Sequence, residues 1–168
     1  MFNEVINRRI EHDIDIHMNE EEAFRSACKG GYLRIAKYLI EICESSTTSE
    51  YAPPIDIHTY NEDAFRYACA EGSLRVVKYL AELHMYNTKS GHNYRKVDIH
   101  VYNEEPLCKA CDYGHLDVVK YLIELHLRNP NYTKIDSKRG LEIARARGHM
   151  DIFEYLTNVN RCDHLFYL

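Results

Sequence analysis

One phrase is written three times in this chain. DIHTYNEDAFRYACAEGSLRVVKYL at residues 56–80 returns as DIHMNEEEAFRSACKGGYLRIAKYL at 15–39 and as DIHVYNEEPLCKACDYGHLDVVKYL at 98–122. A fourth, partial copy is carried by GHMDIFEYL. Anchored on Gly31, Gly72, Gly114 and Gly148, the copies are spaced by 41, 42 and 34 residues, with an Ala four residues before each Gly: Ala27, Ala68, Ala110 and Ala144. Self-similarity at a period of roughly 20 to 50 residues restricts the fold to stacked supersecondary units, because one unit of that size cannot bury its apolar face alone.

Each unit reads as two short helices. In NEDAFRYACAEG, residues Ala64, Phe65, Ala68 and Cys69 recur at helical spacing, acidic Glu62 and Asp63 precede them, and Gly72 follows as a turn. SLRVVKYLAEL then places Leu74, Val76, Val77, Leu80 and Leu83 on one stripe and leaves Arg75, Lys78 and Glu82 for water. Neither helix is long enough to persist in isolation, so stacking must complete the core. The small pairs Ala27-Cys28, Ala68-Cys69 and Ala110-Cys111 allow close approach of neighbouring helices, with Cys acting as a small hydrophobe. The segments around Asp15, Asp56 and Asp98 alternate apolar and polar residues, which predicts a brief extended stretch before each first helix.

The order of turn, small-residue helix, Gly and V-V-x-x-L helix resembles the ankyrin repeat. The wording DIHxxNExAFRxAC and GHLxVVKYL is similar to ankyrin repeats abundant in giant DNA viruses of amoebae. That resemblance spans nearly the whole chain and implies an all-α solenoid of stacked helix-turn-helix units with short turns and lengthened inter-repeat loops. The expected division is an N-terminal cap at 1–13, repeats at 14–54, 55–96 and 97–134, and a C-terminal repeat and cap at 135–168. The family's Thr-Pro-Leu-His survives only as Pro106 and Leu107; its His position holds Arg25, Arg66, Cys108 and Glu142. The stretch before each first helix is also short, which predicts tight turns instead of long hairpin tips.

Polar, turn-rich inserts at 44–54 and 84–96, and a lesser one at 126–134, lengthen the path between units. Limited proteolysis should cut the first two before it cuts within RVVKYLAEL, and nicking in the helices first would show the loop reading to be wrong. At the ends, Phe2, Val5, Ile6 and Ile10 are expected to cap one side of the stack and LFYL at 165–168 the other.

Composition narrows the chemistry. Apolar residues are 45% and charged residues 28%, a globular balance, and the formal net charge of −5 offers no basic footprint for a phosphate backbone, so nucleic acid is not an expected partner. No apolar run approaches membrane-spanning length and the charged start lacks a signal-peptide core, so the expectation is an intracellular protein, in host cytoplasm, with six reduced cysteines and no membrane partner.

Three chemical readings compete. Cys108 and Cys111, with His115 four residues on, have the spacing of half a zinc site, but Cys111 falls in the column of buried small residues and no second Cys pair follows. His17, His58 and His100 form a ladder whose simpler role is to hydrogen-bond the adjacent turn. The carboxylates at the helix starts (Glu20 to Glu22, Glu62, Asp63, Glu104, Glu105) are explained by the helix dipole. No phosphate-cradling loop, His-Glu-x-x-His or nucleophile elbow is present, so neither an enzyme nor a cofactor is expected.

What remains is surface. The resemblance implies that a protein partner docks on the concave face made by turn tips and first helices, as in an ankyrin adaptor holding a host or viral protein. By register the tips carry Met18 and Asn19, Thr59 and Tyr60, Val101 and Tyr102, while the far ends of the first helices carry Lys29, Glu71, Asp112 and Tyr113. Tyrosine suits such a face because it gives contact area at low entropic cost. A self-associating structural protein, forming a homo-oligomer through the inserts or the apolar HLFYL end, is the alternative; a metal-binding protein is the third.

Overall fold

Helices form where the 3.6-residue pattern places them. The computed structural model describes residues 15–45, 54–85, 94–128 and 136–166, with side chains of 44, 45 and 162–166 excepted. Eight α-helices lie among them: α1 Met18–Lys29, α2 Leu33–Ser45, α3 Thr59–Ala70, α4 Leu74–Glu82, α5 Val101–Asp112, α6 Leu116–Leu127, α7 Lys138–Arg147 and α8 Met150–Phe166. A 3-10 turn, Leu83–Met85, extends α4. Each consecutive pair is one unit, and the units stack in chain order: α1, α3, α5 and α7 form one row, α2, α4, α6 and α8 the other.

Between the rows runs a continuous apolar core. Phe24, Phe65 and Leu107 hold one register position, and Ala27-Cys28, Ala68-Cys69 and Ala110-Cys111 line the tight seam of the first row, all at most 5% exposed. Closeness there is real: a Cβ added to Gly140 of α7 would sit 3.1 Å from Cys111 Sγ. Burial pushes the Cys28 and Cys111 thiols up to about 12 and raises that of Cys69 further, so these sulfurs are neutral packing atoms.

A second-row contact ties the units on the outside. Lys37 lies 5.1 Å from the Tyr79 ring centroid, Lys78 5.3 Å from Tyr121 and Lys120 5.6 Å from Tyr155, so the KYL of one unit reaches the tyrosine of the next. Each such cation-on-ring contact contributes about 0.5–1 kcal/mol at exposed sites. The Gly turns lock the units as well. Gly72 and Gly114 have φ of +67° and +80°, and the following unit's His115 and His149 fill the space where a side chain would stand. From there their Nε2 atoms reach the carbonyl oxygens of Ala70 and Asp112 at the ends of α3 and α5, 2.9 and 3.2 Å away.

Two expectations change. Among the described residues no strand forms at the DIH segments; each is a turn, because the carboxylate of Asp15, Asp56 or Asp98 accepts the backbone N–H of the His two residues on, at 2.9 Å in all three copies. Ile57 and Ile99 stay buried and anchor these turns to the core. The tip residues also do not stand on separate loops: Met18, Thr59 and Val101 begin their helices. The expected caps at 1–13 and at Leu165 to Leu168 lie outside the described side chains, as does most of each insert. In the first unit Ile35 is 50% exposed, whereas its register mates Val76, Val118 and Ile152 are fully buried.

Candidate functional site

The first helices begin in an unusual way. Asn19 to Glu21, Tyr60 to Glu62 and Tyr102 to Glu104 all have φ between +50° and +65°, three successive left-handed residues in each of three units, none of them glycine. For L-residues that conformation costs roughly 1–2 kcal/mol per residue, so surrounding bonds must hold it.

Those bonds are readable in D-I-H-x3-E. The left-handed turn swings Glu21, Glu62 and Glu104 inward, to 8% exposure or less. His17, His58 and His100 place Nδ1 2.7, 2.8 and 2.7 Å from the Glu four residues later; a carboxylate only accepts, so Nδ1 carries the hydrogen. Two of these carboxylates then reach across the stack. Glu21 accepts the Asp56 N–H and Glu62 the Asp98 N–H, each at 3.2 Å, so these two glutamates join their own turns to the next. Helix-dipole stabilisation, the reason expected for these acids, is therefore not their main role. The seventh helix starts without the device: its N-cap Ser137 donates to Asn160 instead.

On the outer side of the first two turns an arginine closes the network. Arg25 donates to the Glu20 and Asn19 carbonyls at 3.0 and 3.1 Å, and Arg66 to the Tyr60 carbonyl at 3.2 Å. Arg25 also pairs with Asp63 at 2.9 Å and Arg66 with Glu105 at 2.7 Å, bridging neighbouring first helices. They also lie over the next unit's tyrosines: Arg25 is 4.6 Å from the Tyr60 centroid and Arg66 4.8 Å from that of Tyr102. The Tyr60 hydroxyl bonds the Glu20 carboxylate, which raises its pKa, and Asn61 Nδ2 donates to the Tyr102 hydroxyl.

The expected docking residues therefore form two groups on one row of helices. Met18, Asn19, Tyr60 and Tyr102 are exposed at the helix starts, with Thr59 and Val101 half-buried between them. Lys29, Glu71 and Tyr113 are exposed at the opposite ends and Asp112 is partly buried there. The length of the first helix separates the groups. Tyr60 and Tyr102 are 52% and 53% exposed, yet each ring and hydroxyl is held by the preceding unit. Lys29 lies 4.8 Å from the Tyr67 ring and Asp112 is paired with Arg147 at 2.6 Å.

The metal readings find little geometry. Among the described residues no group of three or more His, Cys, Asp or Glu side chains could hold an ion. Cys108 and Cys111 are buried and desolvation raises both thiols, away from the thiolate a metal requires. No helix among the described residues is long and apolar enough to cross a membrane.

Residues 103–135 match the family model described as "Ankyrin repeat", so the chain contains an ankyrin repeat. Neither the curated proteins nor the solved structures gave a match.

Proposed function

We propose that this ankyrin-repeat-containing chain is a protein-binding module without catalytic activity, and that its partner docks on the face made by α1, α3 and α5. The ankyrin repeat generally serves protein–protein interaction and is a non-catalytic scaffold. One observation carries the choice of face: Tyr60 and Tyr102 are half-exposed rings at successive register positions, fixed in place by Arg25, Arg66 and the strained turns beneath them. Rigid aromatics lose little entropy on binding, and strained backbone concentrates where a surface is pre-organised. By the similarity of its phrases to those of giant viruses, the partner is a host or viral protein.

Replacing Tyr60 and Tyr102 together with Ala should weaken binding to a partner found by affinity capture and mass spectrometry by about 2 kcal/mol or more, the usual size for an anchor. Stability should fall by about 1–2 kcal/mol, the loss of two cation-on-ring contacts. Calorimetric binding and urea unfolding measure the two separately. Unchanged affinity with reduced stability would make the tyrosines struts and remove this face from the proposal.

Self-association has one observation in its favour. Tyr32, just before α2, and Ile35 and Tyr38 of α2 are 61%, 50% and 46% exposed, and Ile35 and Tyr38 line one surface hollow on the first unit. Mass in solution measured across concentration distinguishes this reading, because a docking module stays monomeric where a self-associating chain does not.

A further inference from the structure

The first-row interfaces follow a charge rule that the last one breaks. Two residues before the seam Ala stand Arg25, Arg66, Cys108 and Glu142; five residues before it stand Glu22, Asp63, Glu105 and Arg139. Between α1 and α3 the rule pairs Arg25 with Asp63, and between α3 and α5 it pairs Arg66 with Glu105. Between α5 and α7 the polarity inverts. Arg139 stands where the acid belongs, and Cys108, a neutral thiol, stands where the arginine belongs.

A cleft of about 310 Å³ opens at this interface. Its apolar lining comes from Tyr102, Cys108 and Ile143, and its cations are Lys109 and Arg139. The two acids that line it are already engaged: Glu105 by Arg66 at 2.7 Å and Asp112 by Arg147 at 2.6 Å. Asp136, before α7, accepts the Lys138 backbone N–H, and Glu142 lies one turn along α7. Among the described residues neither Lys109 nor Arg139 has an acidic oxygen within 4.0 Å. In a chain of formal charge −5 the cleft thus holds, among the described residues, two positive charges without an ion-pair partner beside an exposed ring.

We propose that the α5–α7 cleft receives an acidic side chain of the docked partner, presented on a peptide segment whose neighbouring apolar residue lies against Tyr102 and Ile143. The partner's carboxylate supplies the counter-charge that Asp63 and Glu105 supply from within at the other two interfaces. Arginine suits this role because its planar fork takes a carboxylate through two parallel N–H···O bonds. Tyr102, shared with the proposed docking face, continues the surface into the cleft, so the inference rests on that reading and adds the partner's chemistry to it.

The test uses the full chain. Random peptides of about twelve residues are selected on it by phage display, and the enriched sequences are synthesised and titrated by fluorescence anisotropy. The expected result is enrichment of Asp or Glu at one position beside an apolar residue, with affinity falling about tenfold or more on Arg139→Glu and falling also as salt rises. Arg139→Gln, which keeps bulk without charge, should lose less, and exchanging the peptide's acid for Lys should restore binding to Arg139→Glu. Arg139 is exposed, so both variants should melt as the parent does. Binders that ignore Arg139 but are lost with Tyr60→Ala would overturn the acidic-cleft inference and keep the docking face. Peptides that need phosphoserine in place of the carboxylate would also overturn it. Recovery of no binder would count against both readings.

Discussion

Deleting residues 136–168 should leave a chain that aggregates or melts without a cooperative transition. The physical reason is one-dimensional stacking, in which each unit's apolar face is completed only by its neighbours. Removing α7 and α8 uncovers Leu107 and Cys111, which contact the Gly140 position from the other side of the seam, and strips the Tyr155 ring from Lys120. It also removes His149 and Arg147 from the end of α5, leaving the Asp112 carbonyl and carboxylate without them. Each large apolar side chain returned to water costs about 1.5–3 kcal/mol, and a domain of this size has only about 5–15 kcal/mol in total. Light scattering and calorimetry on the truncated chain decide the matter. A soluble truncation with an unchanged melting profile would contradict the stacked architecture.

Glu62→Ala should cost about 3 kcal/mol, far more than a helix-start acid normally contributes. Its carboxylate is 3% exposed, meets His58 Nδ1 at 2.8 and 2.9 Å, accepts the Asp98 N–H and has Arg95 at 3.9 Å. Truncation leaves that amide and imidazole without their acceptor and removes the carboxylate that holds the left-handed turn from inside. Glu71→Ala is the control: an exposed acid at the end of α3, whose loss should change stability by less than about 0.5 kcal/mol. Urea unfolding of both variants tests the contrast. Equal losses would mean that Glu62 acts only through the helix dipole.

Much of the architecture was legible along the chain. Repeated Ala-Cys pairs announced the seam, V-V-x-x-L the inner stripe of the second helices, and Tyr60 and Tyr102 fall outside both stripes and are indeed exposed. The histidines bond their own turns, as their place beside each turn suggested. The H-x3-E spacing was equally visible, but a glutamate at a helix start has an ordinary dipole explanation. Only the left-handed turn rotates Glu21, Glu62 and Glu104 into the interior; an asparagine recurs in it at Asn19, Asn61 and Asn103, but one such residue does not announce three successive left-handed positions.

What the sequence by itself determined is the register: which residues recur, which stripe is apolar, and where each helix stops. A period identifies equivalent positions, because burial repeats with the unit. What only the tertiary structure decided is which positions meet across units. Arg25 finds Asp63 38 residues away and Lys37 finds Tyr79, since the offset between neighbouring helices, set by core packing, selects the partner. The same offset sets Cys108 and Arg139 together in the cleft between α5 and α7, an inversion that consists of two ordinary residues until the stack places them side by side.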